Sequence, residues 1–139
     1  AARWPREAAV LLLDTLGELA GLYRGARLAF VGGTLAPIGG HNVLEPAAVG
    51  TAVIVGPETA SVHADVERLI ANGGGLQARD SDELAARTVA LFVDSAEAAA
   101  AGARARATVA EQQGPLAVTT AIIRGTLRAQ AVAPARTGT

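Results

Sequence analysis

The residues of this chain best suited to chemistry lie in one stretch, Gly39-Gly40-His41-Asn42-Val43-Leu44-Glu45-Pro46, with Gly32-Gly33-Thr34 shortly before it. Glycines permit positive φ and let a backbone approach a ligand closely. Asn42 is a helix-capping residue type, and a helix opening there would aim its free N–H groups and positive dipole end at an anion. The stretch matches neither G-x-G-x-x-G nor a P-loop, which disfavours dinucleotide and P-loop chemistry. Glu45, three residues after Asn42, has two readings. It completes a capping box with Asn42, or its carboxylate accepts hydrogen bonds from ligand hydroxyls such as a ribose diol. A carboxylate repels phosphate, so in the second reading it meets the sugar end. His41 has three readings: a neutral donor, a general base or a structural bond to backbone. A second group, Leu16-Gly17-Glu18, carries its own alternatives. Gly17 is a poor helix former and hints at close ligand approach, whereas Thr15 and Glu18 alone spell a capping box.

Strands must place these groups at one edge of a sheet. Ala8 to Leu13 is a continuous apolar run, the pattern of a strand buried on both faces. A helix should follow from Thr15 to about Arg24, stopped by Gly25. Leu28 to Val31 reads as a second strand leading into the glycine-rich loop, and Asn42 should cap a short helix through Val49. Ala52 to Val55 is a third strand, closed by Gly56-Pro57. Val62, Val66, Leu69 and Ile70 share one helical face, which puts His63 on a helix and in solvent. Leu76 to Ala78 is a short fourth strand. Asp80 opens a helix with Leu84, Thr88, Leu91 and Phe92 inward. Ala96 to Ala110 is helical by propensity alone, Leu116 to Gln130 reads as a last helix, and residues 133–139 as a disordered tail. Strands alternating with helices imply a parallel sheet with right-handed crossovers.

Composition narrows the chemistry. The 139 residues suffice for one domain, half of them are apolar, and the net charge is -1. That charge argues against a nucleic-acid surface. All twelve basic residues are Arg, so lysine Schiff bases are excluded. The absence of Cys excludes thiolate nucleophiles and disulfides. Two His without an acid cluster make a poor metal site. The apolar runs are too short to span a bilayer.

Taken together, Asp14-Thr-Leu-Gly-Glu-Leu19, Leu22-Tyr23, Phe30-Val-Gly-Gly-Thr34, Gly39-Gly-His-Asn-Val-Leu-Glu-Pro-Ala-Ala48 and Gly56-Pro57 resemble the C-terminal half of the 3-deoxy-D-manno-octulosonic acid (Kdo) transferases. The order and spacing match over about residues 9 to 60. From there to about Gln130 the likeness is one of pattern. The resemblance implies an α/β fold: a partial Rossmann-like parallel sheet flanked by helices, the C-terminal half of a GT-B glycosyltransferase. It implies inverting, metal-independent transfer of Kdo from CMP-Kdo to a lipid A precursor, at the cytoplasmic face of the bacterial inner membrane. The implied CMP contacts are Leu16, Gly17, Glu18, Asn42, Val43, Leu44 and Glu45, with Gly40 and His41 in support. No catalytic residue, metal ligand or cofactor is implied in this chain; the catalytic carboxylate, the acceptor surface and any membrane contact belong to the N-terminal half.

Two departures stand out. Where the family has a His and then Asn-Phe after Gly56-Pro57, this chain reads Glu58-Thr-Ala-Ser-Val-His63, and the family's Asn-Arg-Gly appears as Gln112-Gln113-Gly114. In a Rossmann order of 3-2-1-4-5-6 the strands at residues 8–13 and 28–31 would be third and fourth, so the expectation is a fragment. Residues 1–132 would then be a partial nucleotide-sugar-binding domain. The alternatives are a GT-B transferase for another nucleotide sugar and a non-catalytic nucleotide-binding module.

Overall fold

The structure, a computed structural model, describes residues 10–112 and 119–127. Its elements in chain order are α1 (Leu19–Tyr23), β1 (Leu28–Phe30), α2 (Leu44–Ala48), β2 (Ala52–Val55), α3 (His63–Ala71), β3 (Gly75–Gln77), α4 (Ser81–Val93) and α5 (Ser95–Gln112). Residues 119–127 are helical as well. The three strands form one parallel sheet in the order β1-β2-β3. Leu28 pairs with Ala52 and Phe30 with Ile54, while Val53 pairs with Gly75 and Val55 with Gln77.

The two-residue period of a strand explains how four apolar side chains make two cores. Val53 and Val55 point to one face, where Val43 and Ala47 of the α2 region, Val66 and Leu69 of α3, and Ala105 of α5 bury them. Ala52 and Ile54 point to the other, against Leu91 of α4 and Ala98 and Ala101 of α5. β2, covered on both sides, is buried along its whole length.

α5 contributes to both cores because it crosses the end of the sheet where the strands begin. A Cβ added at Gly102 would lie 2.0 Å from the Gly50 carbonyl oxygen, just before β2. One added at Gly74, just before β3, would lie 2.5 Å from the Ala105 backbone. The alanine-rich segment, which reads as helical by propensity alone, is therefore shaped by contact: backbone meets backbone there, and only small residues fit. Asp94 Oδ1 accepts from the Glu97 N–H at 2.9 Å and caps this helix. Asp80 does the same for α4, accepting from Glu83 N–H at 2.8 Å.

Three expectations are corrected. Residues 10–13 are not a strand, and Val10 and Leu12 are each 84% exposed. A strand exists only through its ladder, and among the described residues β1 pairs with β2 alone. Residues 8 and 9 of that expected strand lie outside the described residues. The helix expected from Thr15 shortens to a single turn, α1. Phe92 is 56% exposed; its ring receives the Arg27 guanidinium at 5.5 Å, and Arg27 Nη1 donates to its carbonyl at 2.7 Å. The tail at residues 133–139 and the ends of the last expected helix lie outside the described residues.

Candidate functional site

A parallel sheet gathers all its strand-to-helix loops at the carboxyl edge. Here those are residues 31–43 after β1, 56–62 after β2 and 78–80 after β3, and the first two interlock. Thr34 is fully buried between them. Its hydroxyl donates to the Val31 carbonyl at 2.6 Å and accepts the Gly56 N–H at 2.8 Å, while its own carbonyl accepts the Glu58 N–H at 2.9 Å. Gly56 has no alternative: a Cβ there would lie 2.1 Å from the Thr34 carbonyl oxygen.

The loop then doubles back. Gly33, Gly39 and Gly40 all have positive φ, and Gly40 N–H donates to the Gly33 carbonyl at 3.0 Å. A side chain at Gly40 would meet Thr34 Cγ2 at 2.8 Å. The tip is held by Ser61, whose N–H donates to the Gly39 carbonyl at 3.2 Å. Its hydroxyl faces the carbonyls of Gly39 and, at 3.0 Å, Gly40. His41 follows, exposed, its ring 4.0 Å from where a Gly32 Cβ would be.

Asn42 caps the next turn, but not as a capping box. Its Oδ1 accepts the Leu44 N–H at 2.9 Å, and its Nδ2 donates to Glu45 Oε1 at 3.1 Å. Glu45 therefore meets a side chain rather than reaching back to the Asn42 backbone, and a carboxylate holding one donor keeps further acceptor sites. Val43 is fully buried and Leu44 packs against the same core. Of residues 42–45, Asn42 and Glu45 are exposed, Leu44 is half-buried and Val43 is buried. The α2 helix is five residues long, so the field at its N-terminus comes from one turn of peptide dipoles.

The second expected group is placed less tightly. Leu16 is fully exposed, and nothing lies within 4 Å of a Cβ built on Gly17. Gly17 has φ +89°, a left-handed backbone that explains the glycine without a ligand. Thr15 Oγ1 donates to Glu18 Oε2 at 2.5 Å, and Glu18 stands at the start of α1 without capping it through its side chain. What joins this helix to the other loop is Tyr23, absent from the expected site. Burial pushes its phenol above the ordinary value of 10.0, and the negative charge of Glu45 pushes it further. The Tyr23 carbonyl also accepts from Thr51 Oγ1 at 2.6 Å.

The structural parts of Thr34 and Ser61 were not legible either. Thr34 was marked by its place directly after Gly-Gly, but its bond across to Gly56 was not. At the opposite edge, a shallow groove of 550 Å³ beside Gly50 and Arg106 offers no carboxylate or imidazole to a ligand.

Relatives of known function share both sequence and shape. The chain is 40% identical over 105 residues to the 3-deoxy-D-manno-octulosonic acid transferase of Bordetella pertussis, covering 76% of this chain and 24% of that protein. Over 86 residues it is 41% identical to the enzyme of the same name from Aquifex aeolicus, covering 62% of this chain and 24% of that protein. Its fold superposes on the C-terminal CMP-Kdo binding domain of WaaA from Acinetobacter baumannii with a TM-score of 0.65 and 30% identity, covering 70% of this chain and 51% of that one. This chain is a relative of the Kdo transferases. It spans about a quarter of the length of the curated Kdo transferases it matches. No protein-family model matches it. The likeness to the WaaA domain agrees with the expected α/β class, a Rossmann-like parallel sheet from the C-terminal half of a GT-B protein. Among the described residues, no helix is long and apolar enough to cross a membrane.

Proposed function

We propose that this chain is the donor-binding part of a Kdo transferase: it holds CMP-Kdo while Kdo is transferred to a lipid A precursor. In this reading residues 1–132 form a partial nucleotide-sugar-binding domain, and the work is done at the cytoplasmic face of the inner membrane. The observation that carries it is the loop at residues 39–45, set at the carboxyl edge of a sheet that matches a CMP-Kdo binding domain.

The division of labour follows from the chemistry of the groups. Asn42 and Glu45, the two solvent-facing side chains of their turn, meet the hydroxyls of the ribose. Val43 and Leu44 contribute backbone only, since their side chains belong to the core. The glycines at 39 and 40, with His41 in support, let the chain pass close to the phosphate as it becomes the leaving group. Leu16, Gly17 and Glu18, which stand open to solvent, complete the contact from the other side. Inverting transfer needs a base to activate the acceptor, and that group comes from the N-terminal half of such an enzyme. No metal or cofactor enters this scheme.

Calorimetric titration of CMP and UMP into this chain tests the reading. Selective binding of CMP is expected. Absent binding, or equal binding of both nucleotides, would overturn it. The sequence Glu58-Thr-Ala-Ser-Val-His63, which departs from the family and sits directly against the donor loop, favours as second reading a GT-B transferase for a different nucleotide sugar. Selective UMP binding would support that one.

A further inference from the structure

The donor loop carries glycines at 32, 33, 39 and 40, and glycines have the most backbone freedom to lose when a conformation is fixed. Thr34 anchors the base of the loop, inside the protein. At the tip, two successive glycines at φ +97° and +85° immediately precede His41 and Asn42, and the loop's own tie there is a backbone one, the Gly40 N–H to the Gly33 carbonyl at 3.0 Å. The carbonyls of Gly39 and Gly40 are held from the neighbouring loop. Ser61 directs its N–H to the Gly39 carbonyl and its hydroxyl to the same carbonyl and that of Gly40. A hydroxyl has one proton, so it serves these two acceptors by sharing or alternation, and the backbone N–H fixes the first of them independently.

We propose that Ser61 is a positioning residue for nucleotide binding, setting the direction in which the chain leaves Gly40 and hence where Asn42 and Glu45 point. The proposal rests on the nucleotide reading above and goes beyond it, since Ser61 touches no ligand in that scheme. Its place in the fold separates the role from general stability. Ser61 is exposed, lies in the turn before α3, and belongs to neither core. Its bonds reach only the loop.

The test compares Ser61→Ala and Ser61→Thr with the parent chain by two measurements: CMP titration, and backbone hydrogen exchange of residues 40–44. Ser61→Ala is expected to speed exchange across that segment and to weaken CMP by about three- to tenfold, the scale of one lost neutral hydrogen bond. Its thermal midpoint should be unchanged. Ser61→Thr keeps the hydroxyl and should restore both. Parent-like exchange and affinity in Ser61→Ala would overturn the proposal, as would a Ser61→Thr chain no better than Ser61→Ala. A parent chain that binds no CMP would overturn the nucleotide reading, and the exchange rates would then decide by themselves whether Ser61 holds the loop.

Discussion

The hydroxyl of Thr34 accepts the N–H of Gly56, 22 residues further along the chain, at 2.8 Å inside the protein. The same hydroxyl donates to Val31, so one side chain ties the end of β1 to the end of β2 above the last ladder bonds. The glycine-rich loop is thus fastened before it reaches solvent.

Replacing Thr34 by Val keeps the shape and removes both bonds, leaving the Gly56 N–H buried without a partner. A loss of about 1–3 kcal/mol in unfolding free energy is expected from that group alone. Urea denaturation measures it. Thr34→Ser, which keeps the hydroxyl, should lose less than Thr34→Val.

Glu45→Ala should weaken CMP binding by about 1–3 kcal/mol, the scale of a hydrogen bond to a charged group. Calorimetry gives the value directly. An unchanged affinity would leave Glu45 with its bond to Asn42 and no contact with the nucleotide.

Tyr23 reports on Glu45 without any ligand, and it is the only tyrosine in the sequence. Burial is the larger cause of its raised phenol pKa and the Glu45 charge the smaller. Glu45→Gln should therefore lower the pKa part of the way towards 10.0, followed by phenolate absorbance. The sign for stability follows from the raised value. The folded protein holds this proton more tightly than the unfolded chain, so the contribution is whole below the ordinary pKa and is lost as pH rises through the folded one.

Glu83 governs the acid side. Its carboxylate accepts the Arg79 backbone N–H at 2.9 Å, then the Arg79 and Arg87 side chains at 2.9 and 2.7 Å, which together hold its pKa down at about 2. A lowered carboxylate pKa stabilises above the ordinary value of 4.5 and loses that contribution as pH falls towards 2. The thermal midpoints of the parent chain and Glu83→Gln should therefore differ at neutral pH and converge between pH 4.5 and 2.

Two glycine substitutions should have opposite signs. Gly102→Ala puts a Cβ 2.0 Å from the Gly50 carbonyl oxygen and forces α5 away from the sheet. A cost of about 1–3 kcal/mol is typical of such overpacking. Gly21→Ala, inside α1 with nothing within 4 Å of the new methyl group, should stabilise by about 0.5–1 kcal/mol. Chemical denaturation of both variants checks the pair.

These contrasts show what local pattern can reveal. The strand at Ala52 to Val55 was legible to the residue, because a β-branched run between Gly50 and Gly56-Pro57 has one reading. α3 was legible through the spacing of Val66 and Leu69. The run at residues 10–13 has the same apolar character as β2 and forms no strand, since composition cannot supply a partner. The site divides along similar lines. Asn42 and Glu45 were visible as residue types at a meaningful spacing. The burial of the Val43 side chain was not legible, because facing is set by the turn that precedes it. Tyr23, Thr34 and Ser61 reach partners 21 to 28 positions away, and no local pattern encodes such pairs.

The interlocked loops set the terms on which this edge of the protein can be re-engineered. Thr34 and Gly56 occlude each other's alternatives, and the carbonyls of Gly39 and Gly40 are matched to a hydroxyl on the opposite strand's loop. A graft that imports one loop alone from a homologue would bring half of a lock. Residues 31–43 and 56–62 form a single cassette, and either loop keeps its shape only when both move together.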